Sequence, residues 1–185
     1  MKGISDMRYI DENFLSVRPL TEKDAVLLLK WLTNPVVLEF YEGRDRPLSP
    51  IMVRQHFYDP TEDISRCIVE YESNPIGYLQ FYQIDEEERL KYGYKQHVNL
   101  YGMDQFIGET AYWNRGIGSQ LVTAMKNYLF SEKEAEIVVL DPQKRNKRAI
   151  ACYEKCGFKK VKLLPENELH EGVWQDCWLM EAIKE

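Results

Sequence analysis

The sequence VNLYGMDQFIGETAYWNRGIGS, residues 98–119, decides the fold of this chain. Its first half predicts a β-strand, because β-branched and aromatic residues surround a single carboxylate, Asp104. Its second half is a loop that contains Gly116 and Gly118, and the residues that follow, QLVTAMKNYLF, carry apolar side chains at helical spacing. The stretch therefore predicts a strand that leads through a glycine turn into a helix.

The glycine turn also favours a site for an anion. Glycines permit close approach of a ligand to the backbone, and the first N–H groups of a helix have no partner within it. Together with the helix dipole, these groups suit a phosphate or pyrophosphate. The motif is neither the Rossmann fingerprint, because Leu121 stands at the third glycine position, nor a P-loop. A plain structural turn therefore remains the alternative to a nucleotide-tailed cofactor.

The composition is typical of a soluble globular protein. The chain has 185 residues, of which 44% are hydrophobic and 29% charged, with a formal net charge of −6. Its length fits one domain, residues 1–185, with a sizeable core. The negative charge argues against nucleic acid as a partner and permits a cationic one. The run Asp85-Glu86-Glu87-Glu88, taken alone, is interpreted as a solvated acidic surface.

The N-terminal residues, MKGISDMRYIDENF, lack the apolar segment of a secretion signal, and no apolar run reaches transmembrane length. We therefore expect a cytoplasmic protein without a membrane partner. The four cysteines form no Cys-x-x-Cys pair and have no His-rich neighbourhood. Buried reduced thiols are favoured over disulfides or a metal site, so no metal is expected. These cysteines are Cys67, Cys152, Cys156 and Cys177.

Hydrophobic periodicity and capping residues predict the remaining elements. A capping box at Thr21-Glu22-Lys23-Asp24 begins one helix, which ends near Asn34-Pro35, and Ser49-Pro50 begins another. Residues 84–97 are predicted to form a charged loop that carries tyrosines. The predicted strands are 14–20, 64–71, 76–83, 98–108, 136–140, 158–164 and 173–182, and the later helices are 116–130 and 146–155. This order predicts an α/β sheet in one domain.

Two motifs at a matching separation resemble the GNAT family of N-acetyltransferases. They are YWNRGIG at residues 112–118 and N-x-x-A-x-x-x-YEK-x-GF at residues 146–158. The resemblance implies a mixed, mostly antiparallel sheet with splayed strands, flanked by helices, and a glycine loop that holds the pyrophosphate of acetyl-CoA. Trp113 stands where the family has Arg or Gln. The implied cofactor-binding residues are Ile107, Trp113, Asn114, Arg115, Gly116, Ile117, Gly118, Ser119, Asn146 and Tyr153.

Within that family, the segment YGMDQFIGE at residues 101–109 is similar to aminoglycoside 6'-N-acetyltransferases. Further matches are WLT at 31–33, VLEFY at 37–41, GRD at 43–45, LDP at 140–142 and LHEG at 169–172. The likeness is to the acetyltransferase half of a bifunctional acetyltransferase–phosphotransferase. It implies a small polycationic amine as substrate and antibiotic resistance as the outcome. The implied substrate-binding residues are Tyr41, Glu42, Gln80, Asp104, Asp141 and Asp176.

The chemistry of acetyl transfer agrees with these residues. A primary amine is mostly protonated at neutral pH, so a carboxylate is needed to bind the ammonium and accept its proton, directly or through water. Asp104, on the strand before the cofactor turn, is placed for that role. Asp141 suits a second ammonium, with a plain Asp-Pro turn as an equal alternative. Tyr153 resembles the family's general acid to the CoA thiolate, with a core tyrosine as its alternative.

The sequence and the resemblance together predict acetylation of an aminoglycoside, with acetyl-CoA as cosubstrate. One alternative is acetylation of another amine, such as a lysine-derived metabolite or a polyamine. The other is non-catalytic binding of an acyl-CoA, which Asp104 disfavours because binding alone needs no acid on the strand. The sequence leaves a monomer and a homodimer equally open.

Overall fold

A computed structural model describes residues 7–185 of the chain. The prediction that the N-terminal segment is not a secretion signal concerns residues 1–14, of which residues 1–6 lie outside the described range. Within the described residues, eight strands form one sheet in the order β1-β2-β3-β4-β5-β6-β8-β7. The strands are β1 (Ile10–Glu12), β2 (Leu15–Pro19), β3 (Ile64–Tyr71), β4 (Asn74–Gln83), β5 (Leu100–Ile107), β6 (Ile137–Leu140), β7 (Lys159–His170) and β8 (Val173–Ile183). The helices are α1 (Ala25–Trp31), α2 (Pro35–Leu38), α3 (Pro50–Phe57), α4 (Glu86–Tyr92), α5 (Ile117–Glu132) and α6 (Lys147–Lys155).

The sheet is mixed and mostly antiparallel, which confirms the predicted fold class. Strand β5 runs parallel to β6, with Leu100 opposite Ile137. The pairs β1–β2, β2–β3, β6–β8 and β7–β8 are antiparallel. The glycine turn follows β5, as the sequence predicts, and α5 begins at Ile117.

The described chain divides into two compact units. The chain passes from one unit to the other within β4, within β5 and at the start of α5. The first contains the residues up to Gln80 together with Gln105–Ile117. In its core, the rings of Trp31 and Phe106 meet edge to face with centroids 6.0 Å apart. A Cβ on Gly108 would lie 2.2 Å from the Trp31 indole, so only glycine fits at the end of β5.

The second unit contains Phe81–Asp104 and Gly118–Glu185. Helix α5 buries Leu121, Val122 and Met125 on one face, as its periodicity predicts. A cluster of buried side chains in this unit includes residues of its strands and Tyr92 of α4. Its members are Ile84, Tyr92, Leu100, Val139, Leu164, Cys177 and Leu179. Strand β6 ends against this cluster, and Asp141 follows it directly.

The prediction of a loop over residues 84–97 is wrong, because α4 lies within it. Asp85 caps this helix by accepting a hydrogen bond from the backbone N–H of Glu88 at 2.8 Å. Three acidic residues in the first turn and basic residues in the last complement the helix dipole. Gly93, at φ +89°, ends the helix in the left-handed conformation. The structure also adds β1 and extends β7 to His170.

Two expectations from the sequence concern membrane-spanning segments and the cysteines. Among residues 7–185, no helix combines the length and the apolar character that crossing a bilayer requires. All four cysteines are free thiols, and Cys67, Cys156 and Cys177 are buried. Cys152 is partly exposed.

Candidate active site

Asp104 lies in the middle of β5 and is held by a phenol from β4. Tyr82 Oη donates a hydrogen bond to Asp104 Oδ2 at 3.0 Å. Gly102 makes this approach possible, because a Cβ there would lie 2.9 Å from the Tyr82 ring. Burial, and then the negative charge of Asp104, raise the pKa of Tyr82 far above its usual value. The phenol therefore stays protonated and fixes one carboxylate oxygen.

Asp141 is the second carboxylate of the candidate site. It follows β6 and accepts a hydrogen bond from Asn167 Nδ2 at 3.1 Å, while Tyr92 Oη lies 3.5 Å from the same oxygen. Asp141 keeps part of its surface exposed, but protein atoms enclose the carboxyl group. Burial, and then the charge of Asp104, raise the pKa of Asp141 to about 7. A bound cation would favour its ionised form.

A third carboxylate, Glu88, belongs to the same group. Burial, and then the charges of Asp85 and Asp104, raise the pKa of Glu88. Its charge in turn raises the pKa of Asp141, which places these side chains within one electrostatic environment. We call Asp104, Asp141 and Glu88 the carboxylate cluster. Three carboxyl groups that raise one another's pKa favour a ligand with several positive charges, because a bound cation offsets their repulsion.

Asp176, predicted to bind substrate, has two partners within the protein. Its Oδ1 accepts a hydrogen bond from the backbone N–H of Glu166 at 3.1 Å, and its Oδ2 lies 3.7 Å from Lys144 Nζ. The contact occurs where the register of β7 and β8 shifts between Leu164 and Glu168. The Asp176 carboxylate therefore contacts the backbone of the hairpin at this irregularity.

The turn after β5 is held by the tryptophan that departs from the family pattern. Trp113 Nε1 donates a hydrogen bond to the carbonyl oxygen of Ile107, the last residue of β5, at 2.8 Å. Asn114 and Gly116 adopt positive φ values of 57° and 77°. A Cβ on Gly116 would meet nothing within 4 Å, so the backbone there is open to a ligand. Arg115 stacks over the ring of Tyr112 at 5.1 Å.

The start of α5 is equally open at Gly118. A Cβ there would meet only Cys152 Sγ, at 3.9 Å. The next residue, Ser119, contacts the same sulfur through its hydroxyl at 3.4 Å, and its carbonyl accepts a hydrogen bond from Cys156 Sγ at 3.4 Å. Helix α6 therefore braces the first turn of α5 through two thiols. The first backbone N–H groups of a helix have no partner within it, so this end of α5 suits a pyrophosphate.

Helix α6 carries the two remaining candidates of the second motif. Asn146 is its N-cap, and Asn146 Oδ1 accepts a hydrogen bond from the backbone N–H of Ala149 at 3.1 Å. Tyr153 is partly exposed, with its ring 6.3 Å from that of Phe158. The partial exposure leaves Tyr153 accessible to a reactant.

The other predicted substrate residues belong to the first unit. The ring of Tyr41 packs against Phe106 with centroids 4.6 Å apart. Glu42 adopts a positive φ of 66° before Gly43, which forms a tight turn after α2. Gln80 Oε1 accepts a hydrogen bond from Tyr78 Oη at 2.8 Å.

Sequence reasoning missed four side chains around the carboxylates: Tyr82, Glu88, Tyr92 and Asn167. The spacing of Glu88 and Tyr92, four residues apart on α4, is the signal that could have found two of them. Tyr82 and Asn167 reach the site through strand pairing, which no local pattern shows. Within residues 7–185, no group of three or more His, Cys, Asp or Glu side chains is arranged to hold a metal ion.

Comparison with known proteins identifies the family. The model of the acetyltransferase (GNAT) domain family matches residues 21–165, which is most of the chain. The match includes β5, the glycine turn and α6. The chain belongs to the GNAT acetyltransferase family.

The chain is similar to curated proteins and to solved structures over most of its length. It is 28% identical over 149 residues to an aminoglycoside N(6')-acetyltransferase type 1 of Klebsiella pneumoniae, covering 79% of this chain and 74% of the relative. The structure of AAC(6')-Ib with ribostamycin and coenzyme A aligns at 26% identity and a TM-score of 0.74, covering 93% and 94% of the two chains. A spermidine N-acetyltransferase of Vibrio cholerae shares the fold, with a TM-score of 0.75, 19% identity, and 93% and 96% coverage.

Proposed function

We propose that this protein transfers the acetyl group of acetyl-CoA to an amino group of an aminoglycoside, the 6'-amino group, and so inactivates the antibiotic. The carboxylate cluster carries the proposal. It offers a polycationic amine one carboxylate held by Tyr82 and a second enclosed beside Asn167. Relatives that are named aminoglycoside 6'-acetyltransferases support the same substrate class.

The reaction needs a base, an oriented amine and a proton donor. Acetyl-CoA supplies the acetyl group as a thioester. Asp104 binds the ammonium and accepts its proton, directly or through water, so that the neutral nitrogen can attack the carbonyl carbon. As the new C–N bond forms, the C–S bond breaks, and Tyr153 gives its phenolic proton to the departing sulfur. The nitrogen then loses its extra proton to solvent, and the Tyr153 phenolate takes a proton from solvent. Asp141 holds a second ammonium and keeps the substrate in register.

The turn after β5 fits the nucleotide end of acetyl-CoA. The open backbone at Gly116 and Gly118 and the first N–H groups of α5 suit a pyrophosphate. Trp113 positions this turn by its bond to Ile107, where the family has Arg or Gln. The other cofactor residues in the proposal are Ile107, Asn114, Arg115, Ile117, Ser119, Asn146 and Tyr153.

Tyr41, Glu42, Gln80 and Asp176 stay in the proposal as further substrate contacts. We also propose that residues 1–185 act as a single acetyltransferase domain in the cytoplasm. The free thiols of all four cysteines support a reducing compartment.

A panel assay of thiol release tests the proposed function. The protein is incubated with acetyl-CoA and either kanamycin, spermidine or lysine at equal concentrations. We expect kcat/KM to be highest with kanamycin, and mass spectrometry should show one added acetyl group. Turnover of spermidine or lysine alone would assign the enzyme to another amine. Release of no thiol with any amine would favour a non-catalytic acyl-CoA-binding protein.

A further inference from the structure

Two sequence motifs, LDP at residues 140–142 and LHEG at residues 169–172, are joined by side chains that the proposed reaction does not use. Gln143 directly follows the first motif, and His170 belongs to the second. Gln143 Nε2 lies 3.1 Å from His170 Nδ1, and the two residues expose only 4% and 2% of their surface. We call this buried amide–imidazole contact the Gln143–His170 pair.

The hydrogen bonds around Gln143 fix the direction of this contact. Arg145 Nε donates to Gln143 Oε1 at 2.7 Å, so the other end of the amide is its NH₂ group. That group donates to Glu168 Oε1 at 2.7 Å and to His170 Nδ1 at 3.1 Å. His170 Nδ1 is therefore an acceptor, and the ring proton is on Nε2. The amide oxygen and both amide N–H groups of Gln143 then have partners.

The same end of β7 also binds Asp141. Asn167, the residue before Glu168, donates from its Nδ2 to Asp141 Oδ2 at 3.1 Å. The backbone of Gln143 forms a β-bridge to β8, and its side chain contacts β7, the strand beyond β8 in the sheet. Residues 167–170 of β7 therefore bind both Asp141 and, two residues further along the chain, Gln143.

The pair thus acts on the position of Asp141. A buried polar network in which every member has a partner holds its side chains in one arrangement. Loss of the acceptor at His170 Nδ1 leaves a buried N–H of Gln143 without a partner, which is unfavourable. Gln143 then moves relative to β7, and Asp141, two residues before it, moves relative to Asn167. A carboxylate that must meet a ligand in one geometry depends on such supporting contacts.

We propose that the Gln143–His170 pair positions Asp141 for the second ammonium group of the acceptor, so that it controls the binding of polycationic substrates. The inference rests on the proposed function and deepens it. Gln143 and His170 are positioning residues. They act on the acceptor through Asp141 and take no part in the proton transfer at Asp104.

His170→Leu and His170→Asn separate the two nitrogens of the ring. Among residues 7–185, His170 Nε2 has no hydrogen-bond partner, and Glu171 Oε1 lies 3.9 Å from it. The side-chain oxygen of Asn is as many bonds from Cα as Nδ1 of His, so Asn keeps an acceptor toward Gln143. Leu is apolar and accepts no hydrogen bond. A loss that Leu causes and Asn repairs therefore reports on the Nδ1 contact.

The test titrates kanamycin and spermidine calorimetrically into the full chain in the presence of coenzyme A, and measures kcat with kanamycin. We expect His170→Leu to weaken kanamycin binding about fivefold or more and to change kcat less than about threefold. Coenzyme A affinity should stay unchanged, and His170→Asn should bind kanamycin within about twofold of the wild type. Val69→Ala, a truncation of the buried core in β3, is the control for lower stability, because it should lower the Tm without changing kanamycin affinity.

A double-mutant cycle with Asp141→Asn tests whether the pair acts through Asp141. When residue 141 is Asn, His170→Leu should weaken kanamycin binding by less than about a further twofold. The full loss in both backgrounds, or an equal loss in His170→Asn, would overturn the proposal. Unchanged kanamycin affinity in His170→Leu would also overturn it, because the backbone bridge to β8 would then fix Asp141 alone. Gln143→Met removes the donor of the same contact, carries the same expectations and serves in place of His170→Leu if that variant does not fold.

The same titrations separate this inference from the proposed function. A wild-type protein that acetylates kanamycin, with no effect of His170→Leu, overturns the positioning role alone. A wild-type protein that fails with kanamycin but binds spermidine, with a loss in His170→Leu that Asn repairs, overturns the aminoglycoside assignment alone. A protein that binds neither cation overturns both.

Discussion

Tyr82 Oη donates a hydrogen bond to Asp104 Oδ2 at 3.0 Å, across β4 and β5. The glycine at position 102 leaves the space that the phenol ring needs. One carboxylate oxygen is therefore fixed in place. In the mechanism that we propose, Tyr82 acts on the reaction through Asp104 and is a positioning residue for the base.

Removal of this phenol should affect catalysis through Asp104. We expect Tyr82→Phe to lower kcat about threefold to tenfold, because the Asp104 carboxylate loses a hydrogen bond from a neutral donor. The KM for acetyl-CoA should stay unchanged. Tyr94→Phe is the control, since it removes a phenol that hydrogen-bonds to Glu181 in the same unit. A decrease of equal size in both variants would indicate a general loss of stability.

The open glycine of the cofactor turn has a matched partner elsewhere in the chain. Gly116 and Gly172 adopt φ values of 77° and 75°, and a Cβ at either position would meet nothing within 4 Å. Valine should therefore destabilise both sites by about 1–2 kcal/mol of backbone strain. Only Gly116→Val should also lose acetyl-CoA affinity, by about tenfold or more, because the branched side chain blocks the pyrophosphate. Calorimetric titration with coenzyme A measures this, and equal affinities in the two variants would remove the pyrophosphate from this turn.

Tyr153 should contribute modestly as the proton donor to the thiolate. General acid catalysis is worth about 10²–10⁴-fold where the leaving group needs it, and a thiol leaves readily, so we expect Tyr153→Phe to lose about tenfold or less. The loss should grow at high pH, where solvent provides fewer protons. Turnover that is unchanged across the pH range, with chemistry limiting the rate, would assign Tyr153 to the core beside Phe158.

Asp141 should make stability depend on pH in the ligand-free protein. Its pKa is raised from 3.8 to about 7, first by burial and then by the charge of Asp104. Below about pH 4 the carboxyl is protonated in both the folded and the unfolded state, and folding is not opposed. As the pH rises toward 7, the unfolded state ionises first, so the free energy of unfolding falls, and the loss is complete above that value.

Asp141→Asn removes this dependence. Its stability relative to the wild type should increase between about pH 5 and pH 8, by on the order of 1 kcal/mol or more. Denaturant titrations at the two pH values measure the difference. Asp176→Asn is the control, because Asp176 is partly exposed and paired with Lys144. A difference between Asp141→Asn and wild type that is the same at both pH values would contradict the raised pKa.

The sequence predicts much of the fold and about half of the site, for physical reasons. Helix α5 and the strand around Asp104 have strong local periodicity, and the cap at Ser49 lies where expected. The acidic run at residues 85–88 has the composition of a loop, and only its cap and Gly93 reveal α4. The splay of strands that the family resemblance implies stays a prediction.

The partners within the site depend on register, which the sequence does not show. Tyr82 reaches Asp104 because β4 lies beside β5. Asp176 accepts a hydrogen bond from the backbone N–H of Glu166 where the register of β7 and β8 shifts. Trp113 also has a partner that the sequence does not show. Its sequence position predicts a cofactor contact, and its indole N–H donates a hydrogen bond to the carbonyl of Ile107.

The central claim is that Asp104 accepts the proton of the reacting amine, and steady-state kinetics of Asp104→Asn on kanamycin tests it most directly. Asn has nearly the same size and accepts a hydrogen bond, but it takes no proton at neutral pH. We predict normal folding, unchanged acetyl-CoA affinity and a loss of about 10²-fold or more in kcat. Asp141→Asn, measured beside it, should act chiefly on the KM for kanamycin. Full kcat in Asp104→Asn with only a raised KM would contradict the claim and make Asp104 a binding residue.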